Sequence, residues 1–130
     1  MIVLEASVVI AFLDASDTHH EAAVAFFADN SASGYELHQL TLAEILVGGV
    51  RAGRANQLLA DLRAIGIAPA ESPHDEPLIL AELRTVTGLK MPDCCVLAVA
   101  LRESAALATF DEQLARVAVS LGLRVLPGAG

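Results

Sequence analysis

Residues 2–13 read IVLEASVVIAFL. Ile2, Val3 and Leu4 favour a strand. They run into a carboxylate, Glu5, and then into the small pair Ala6 and Ser7, which opens an apolar helical pattern over 7–13. A strand that turns directly into a mostly buried helix is the first half of a βαβ unit. A carboxylate at that junction is costly to bury unless something pairs with it.

The same pattern recurs along the chain. A second helix is expected over about 18–28, and NSASG at 30–34 is a loop by turn chemistry. YELHQL at 35–40 reads as a strand, and TLAEILVGGVRAG at 41–53 begins a helix, with Leu42, Ile45, Leu46 and Val50 at helical spacing. A further helix spans about 54–65 and stops at Gly66. IAPA at 67–70 is a short strand and 74–88 a helix ending in glycine. PDCCVLAVALRES at 92–104 starts with proline, a favoured first helical residue, and is apolar without a break from 94 to 101. ALAT at 106–109 is a strand, 111–122 a helix and 123–127 a last strand. Five strands alternating with seven helices predict an α/β fold, a mainly parallel sheet covered on both faces. With 130 residues, the chain is expected to form one domain over 1–130.

Composition narrows the class. Apolar residues make up 55% and charged residues 18%, which excludes a disordered chain. Aromatics are few, so the core rests on Ala, Val, Leu and Ile. No apolar run approaches the roughly 18 residues of a membrane span, and no basic stretch opens a signal peptide; a cytoplasmic protein with no membrane partner is expected. Cys94 and Cys95 are adjacent, have no second pair to form a metal knuckle, and read as buried helical thiols. The net charge of −8 opposes a protein that grips nucleic acid through a basic face.

In an open parallel sheet, ligands bind beyond the carboxyl ends of the strands. Four acids are expected there: Glu5 after the first strand, Glu44 opening the helix after the second, Asp93 opening the buried helix, and Asp111 after ALAT. Most have an ordinary structural explanation. Thr41 and Glu44 fit a capping box, and Asp93 suits the first turn of a helix. Asp111 is a candidate N-cap, or Thr109 and Glu112 a second capping box. Glu5 has no evident cap. Four carboxylates in one crevice repel one another unless a cation lies between them. Mg²⁺ and Mn²⁺ prefer carboxylate and water oxygens and suit phosphate chemistry.

The ordered set of an acid in VLEAS, an acid in LAEIL, an acid in MPDCCVLAVA and an acid in LATFDEQL resembles the PIN-domain nucleases, specifically the VapC toxins of VapBC-type toxin–antitoxin pairs. The resemblance covers essentially the whole chain. It implies a three-layer α/β/α fold with a five-stranded parallel sheet. It also implies a Mg²⁺- or Mn²⁺-dependent endoribonuclease acting on an RNA substrate, a homodimer, and a cognate antitoxin that covers the site. By position, Glu5, Glu44, Asp93 and Asp111 match the four metal-binding catalytic acids, and Ser7 and Thr109 match supporting hydroxyl positions. The family has Asp where this chain has Glu5. The extra methylene is expected to weaken activity or to favour the more permissive Mn²⁺. The alternative reading is a PIN-fold protein that binds its antitoxin but cuts weakly or not at all.

The other polar residues point elsewhere. His19 and His20 lack the spacing of paired ligands and read as a solvated helix start, and His38 and His74 read as lone structural or surface residues. Ser7 has no His–Asp partner pattern to make it a nucleophile. Gly48 and Gly49 suggest close helix packing or a bend. Arg51 and Arg54 are candidate phosphate contacts or helix-end charges. A receiver-like module is disfavoured, because the only lysine, Lys90, lies in the wrong place and no Asp follows IAPA.

Overall fold

The structure is a computed structural model and describes residues 1–127. Twelve elements follow in order: β1 (Ile2–Leu4), α1 (Ala6–Leu13), α2 (His20–Asp29), β2 (Tyr35–Leu37), α3 (Gln39–Arg51), α4 (Ala55–Ala64), β3 (Ile67–Pro69), α5 (Glu76–Thr87), α6 (Met91–Glu103), β4 (Ala106–Ala108), α7 (Glu112–Ser120) and β5 (Val125–Leu126). The five strands form one sheet in the order β3-β2-β1-β4-β5, and every pairing is parallel.

Alternation along the short strands separates two cores, as a two-residue period requires. Ile2, Leu4, Tyr35, Leu37 and Ala108 face one side, where they meet Val8, Val9, Phe26, Phe27 and Ile45. Val3 and Leu107 face the other, against Leu97, Val99, Leu114 and Ala118. The sheet is therefore the middle of three layers. Helix α6 carries the longest buried run, Cys94 to Ala100, and both cysteines are buried free thiols, as the unbroken apolar stretch indicates. Among the described residues, no helix is long and apolar enough to cross a membrane.

Strand order positions the functional region. Chain order runs outward from β1 through β2 to β3, then returns to the opposite side of β1 for β4 and β5. The reversal falls between β1 and β4, where crossovers leave in opposite directions and a crevice opens at the carboxyl edge. Leu4 pairs with Ala108 at that edge, and Glu5 N donates to Ala108 O at 2.9 Å.

Several boundaries differ from the sequence reading. The second strand ends at Leu37, and His38 is the N-cap of α3, its Nδ1 accepting from Leu40 N at 3.0 Å. Helix α3 thus starts before Thr41, and the expected Thr41–Glu44 capping box does not form. Thr41 is 1% exposed inside the helix, its hydroxyl without a hydrogen-bond partner, and Glu44 lies mid-helix rather than at its start. A histidine ring supplied the capping acceptor that the T-x-x-E pattern suggested elsewhere. The expected close packing at the glycine pair belongs to Gly49. A Cβ there would lie 3.2 Å from Ala55 Cα and 3.0 Å from Leu58 Cδ2, whereas Gly48 faces open space.

Candidate functional site

Glu5 is itself the N-cap of α1, correcting the expectation that it lacks a capping role. Its Oε2 accepts from Ser7 N at 3.0 Å. Its Oε1 accepts from the Ser7 hydroxyl and, at 2.6 Å, from Thr109 Oγ1. The longer side chain curls back to satisfy the orphan N–H of the helix, which Asp more commonly does. This is how a carboxylate at a buried strand end avoids the cost of lying unpaired.

The hydroxyls stitch the two strand ends together. Ser7 Oγ accepts from Phe110 N at 3.0 Å while donating to Glu5. Thr109 Oγ1 accepts from Asp111 N at 3.0 Å while donating to Glu5. Asp111 caps α7, its Oδ1 accepting from Leu114 N at 2.9 Å; of the two caps considered for this helix, the aspartate forms.

Asp93 and Glu44 complete the acidic surface. Burial first, then the charges of Asp111, Glu5 and Glu44, raise the Asp93 carboxyl above the ordinary carboxylate range, with Lys90 opposing them. Burial first, then Glu5, raises Glu44. The four acids therefore sense one another across the switch point. Lys90 was not among the site candidates; its position three residues before Asp93, across a helix start, was the available signal.

These residues fit a hard divalent ion through their donors, which are all carboxylate oxygens, backed by hydroxyls. They do not form one compact cage. Among the described residues, the only three potential ligand atoms within 4.8 Å of one another belong to His38, Glu76 and Cys95. An ion among the acids would keep part of its water shell, as Mg²⁺ usually does.

The compact trio is better explained without an ion. His38 Nδ1 accepts a backbone N–H, so Nε2 bears the ring proton and donates to Glu76. Burial and the neighbouring Glu76 push the Cys95 thiol up to about 11, so it stays protonated at neutral pH. Glu76, 6% exposed, would be raised by burial, but hydrogen bonds from Ser72 and His38 and the nearby Arg102 hold it below its usual range. His38 thus ties the start of α3 to the start of α5, and is neither lone nor on a strand, as the sequence had suggested. The His19–His20 pair is also more engaged than a solvated helix start. His20 Nδ1 lies 2.8 Å from Ala11 O, and the His19 ring stacks on Phe110.

No curated protein matches the chain. Solved structures do. FitAB bound to an IR36 DNA fragment superposes with a TM-score of 0.71 at 22% identity, over 97% of this chain and 94% of that one. FitAcB from Neisseria gonorrhoeae gives 0.70 at 23%, over 96% of each. PAE2754 from Pyrobaculum aerophilum gives 0.55 at 20%, over 87% and 81%. At these identities the likeness is one of fold. The PIN domain family matches residues 2–120, a span that holds all four acids and both hydroxyls of the switch point, and the chain belongs to that family.

Proposed function

We propose that this protein is a Mg²⁺- or Mn²⁺-dependent endoribonuclease, the toxin of a VapC-type toxin–antitoxin pair. The observation that carries the reading is the gathering of Glu5, Glu44, Asp93 and Asp111 around the β1–β4 switch point, with Asp93 raised by burial and by the other three acids. PIN domains are typically nucleases that depend on a divalent metal, and the donor set fits that chemistry.

Asp93 and Asp111, with Glu44 and the outer side of Glu5, would hold the ion. When bound, the ion supplies Lewis acidity and offsets charge developing on the phosphate. Thr109 and Ser7 fix the Glu5 carboxylate, so that its direction is set before substrate arrives. Asp111 is held in place by its capping bond to α7. Lys90 offsets part of the acidic charge near Asp93 and is placed to meet a substrate phosphate.

The acidic total of −8 suits a chain whose partner supplies any DNA contacts, and the structural neighbour FitAB is bound to DNA. A groove of about 460 Å³ between α1, α3 and α4, lined by Ile10, Leu13, Ile45, Gly48 and Leu58, is suited to an apolar antitoxin segment. Leu78 and Val86, exposed on α5, leave apolar surface for a second copy, as a homodimer requires.

A second reading is favoured by Glu5 itself. Its carboxylate accepts three hydrogen bonds from Ser7 and Thr109, which draws it toward the helix end. That posture suits an antitoxin-binding protein with weak nuclease activity. Incubating total RNA with Mg²⁺, with Mn²⁺ or with EDTA, beside Asp93→Asn, tests both. Metal-dependent cleavage that disappears in the variant supports the nuclease. A folded protein that cuts under no condition supports the partner-binding reading.

A further inference from the structure

Phe110 lies between Thr109 and Asp111, and its backbone N–H bonds the hydroxyl that holds Glu5. Its ring is half-buried against the core beneath α1. The His19 ring lies over it, centroids 4.5 Å apart and planes 10° from parallel. His19 is held there from its own side. It is the N-cap of α2, its N–H donates to Asp17 Oδ1 at 2.8 Å, and its Nδ1 lies 3.8 Å from the same oxygen. Even so, the His19 side chain remains 53% exposed. The result is a stacked aromatic pair whose inner ring belongs to the residue before Asp111 and whose outer ring, His19, is more than half exposed.

Phe110 also lines a cleft of about 670 Å³ between α7 and β5, which contains Arg116 and Arg124. Asp111 and Glu112 line the same cleft, so its two guanidinium groups offset two acids, in a chain with 8 basic residues against 16 acidic ones. Stacking surfaces next to cationic groups are what unpaired nucleotides require, because every base has a π-face and every linkage a charge.

We infer that His19 and Phe110 form a stacking platform for an unpaired nucleobase flanking the scissile phosphate, with Arg116 and Arg124 meeting the phosphates beyond it. This rests on the nuclease reading for its substrate and deepens it by naming the residues that position the strand. The base stacks on the open face of His19 and extends the existing pair. The stack on Phe110 orients the imidazole, so part of its rotamer freedom is already lost before binding.

The simpler role for His19 is to cover Phe110 from water. Variants separate the two. His19→Leu keeps an apolar cover but no aromatic face, whereas His19→Tyr keeps a flat ring. The probe is a short unstructured RNA carrying 2-aminopurine, whose fluorescence falls on stacking, with Ca²⁺ replacing Mg²⁺ so that binding is read without cleavage.

The wild type is expected to quench the probe. His19→Ala and His19→Leu are expected to lose the quenching, and His19→Tyr to restore it. In cleavage assays with Mg²⁺ or Mn²⁺, His19→Ala is expected to raise KM by about 5- to 100-fold with kcat little changed. An abasic nucleotide at that position is expected to cost the wild type a similar factor and His19→Ala little more.

Quenching by His19→Leu equal to that of wild type, an unchanged KM in His19→Ala, or no quenching by the wild type would each overturn the platform. Cleavage by a wild type whose His19 variants match it removes the platform and leaves the nuclease. His19-dependent quenching by a wild type that cuts no RNA removes the nuclease and leaves the platform.

Discussion

The chain gathers two groups of metal-competent side chains, and they are built on opposite principles. His38, Glu76 and Cys95 are close together and largely buried, and the charge among them is settled: His38 donates its ring proton to the Glu76 carboxylate, and Cys95 beside them is a neutral thiol. Glu5, Glu44, Asp93 and Asp111 are wider apart and more open, and Glu44 and Asp93 resist ionisation because of burial first and then the charges of the others. Proximity alone marks the first group as the metal site. Proton and charge accounting favours the second as the proposed site, because there a cation would relieve repulsion. Ligand-like residues within reach of one another need not form a site when the acid already has a proton donor and the thiol keeps its proton.

Removing His38 tests the first half of this contrast most strongly. His38→Ala leaves a buried Glu76 without its partner and Leu40 N without its cap, and urea unfolding is expected to show a loss of about 3 kcal/mol. Glu76→Gln, which keeps an acceptor for Nε2–H, is expected to lose clearly less. Equal losses would mean that the pair contributes packing alone.

Asp93→Asn tests the second half. Metal-dependent RNA cleavage is expected to fall by at least about 100-fold, beyond the 10- to 100-fold typical of a residue behind the ligands. In EDTA the same variant is expected to melt at a higher temperature than wild type, since it removes a carboxylate that its neighbours disfavour. Retained cleavage would take Asp93 out of the site.

Glu5→Asp shortens the reach by one methylene. Cleavage with Mg²⁺ is expected to rise, by up to about 100-fold, if Glu5 displaces the ion by about 1 Å. Stability is expected to change by less than about 1 kcal/mol, since aspartate is also a good N-cap. Unchanged rates with both Mg²⁺ and Mn²⁺ would show that the curled carboxylate is not limiting.

The pH dependence has a definite sign. Asp93 and Glu44 have folded pKa values above their ordinary 3.8 and 4.5, so the metal-free folded state binds these protons more tightly than the unfolded chain does. Their contribution therefore stabilises as pH falls through the raised folded values toward the ordinary ones. Glu76, held low, acts in the opposite direction: its contribution is present above 4.5 and is lost as pH falls further. Melting temperatures of wild type and Asp93→Asn in EDTA, compared from pH 7 to 4, isolate the first effect. The advantage of the variant is expected to hold level while Asp93 is ionised in the folded state and to shrink as pH falls through its raised folded value toward 3.8. A constant gap would contradict the repulsion.

The smallest expected effect is at Cys95. Titrating the folded protein with Co²⁺ is expected to produce no thiolate-to-metal charge-transfer band, because His38 Nε2 and the Cys95 thiol both hold their protons. A stoichiometric band that disappears in Cys95→Ser would reverse the comparison and make the buried trio a metal site.

Much of this architecture was legible along the chain. The apolar periods located all five strands and seven helices, and the unbroken run from Cys94 identified the most buried helix. Asp111 was one of the two caps the sequence offered for its helix, and it is the one that forms. The misreadings have different causes. At residues 38–44 the capping pattern T-x-x-E offered a local answer, but His38 could cap one turn earlier because Glu76, 38 residues away, holds its other nitrogen. At Glu5 the cap itself is local, a bond from Ser7 N two residues on, and was missed because glutamate is not among the usual N-cap residues; only the Thr109 bond comes from far along the chain.

The sequence by itself determined the alternation of elements and the two-sided sheet, because these follow from side-chain period and residue chemistry over a few neighbours. Only the tertiary structure decided that β4 returns beside β1, that the hydroxyls of Ser7 and Thr109 close on Glu5, and that His19 covers Phe110. Those outcomes depend on the direction of a crossover and on which distant donor reaches a buried acceptor first, and no local pattern encodes either.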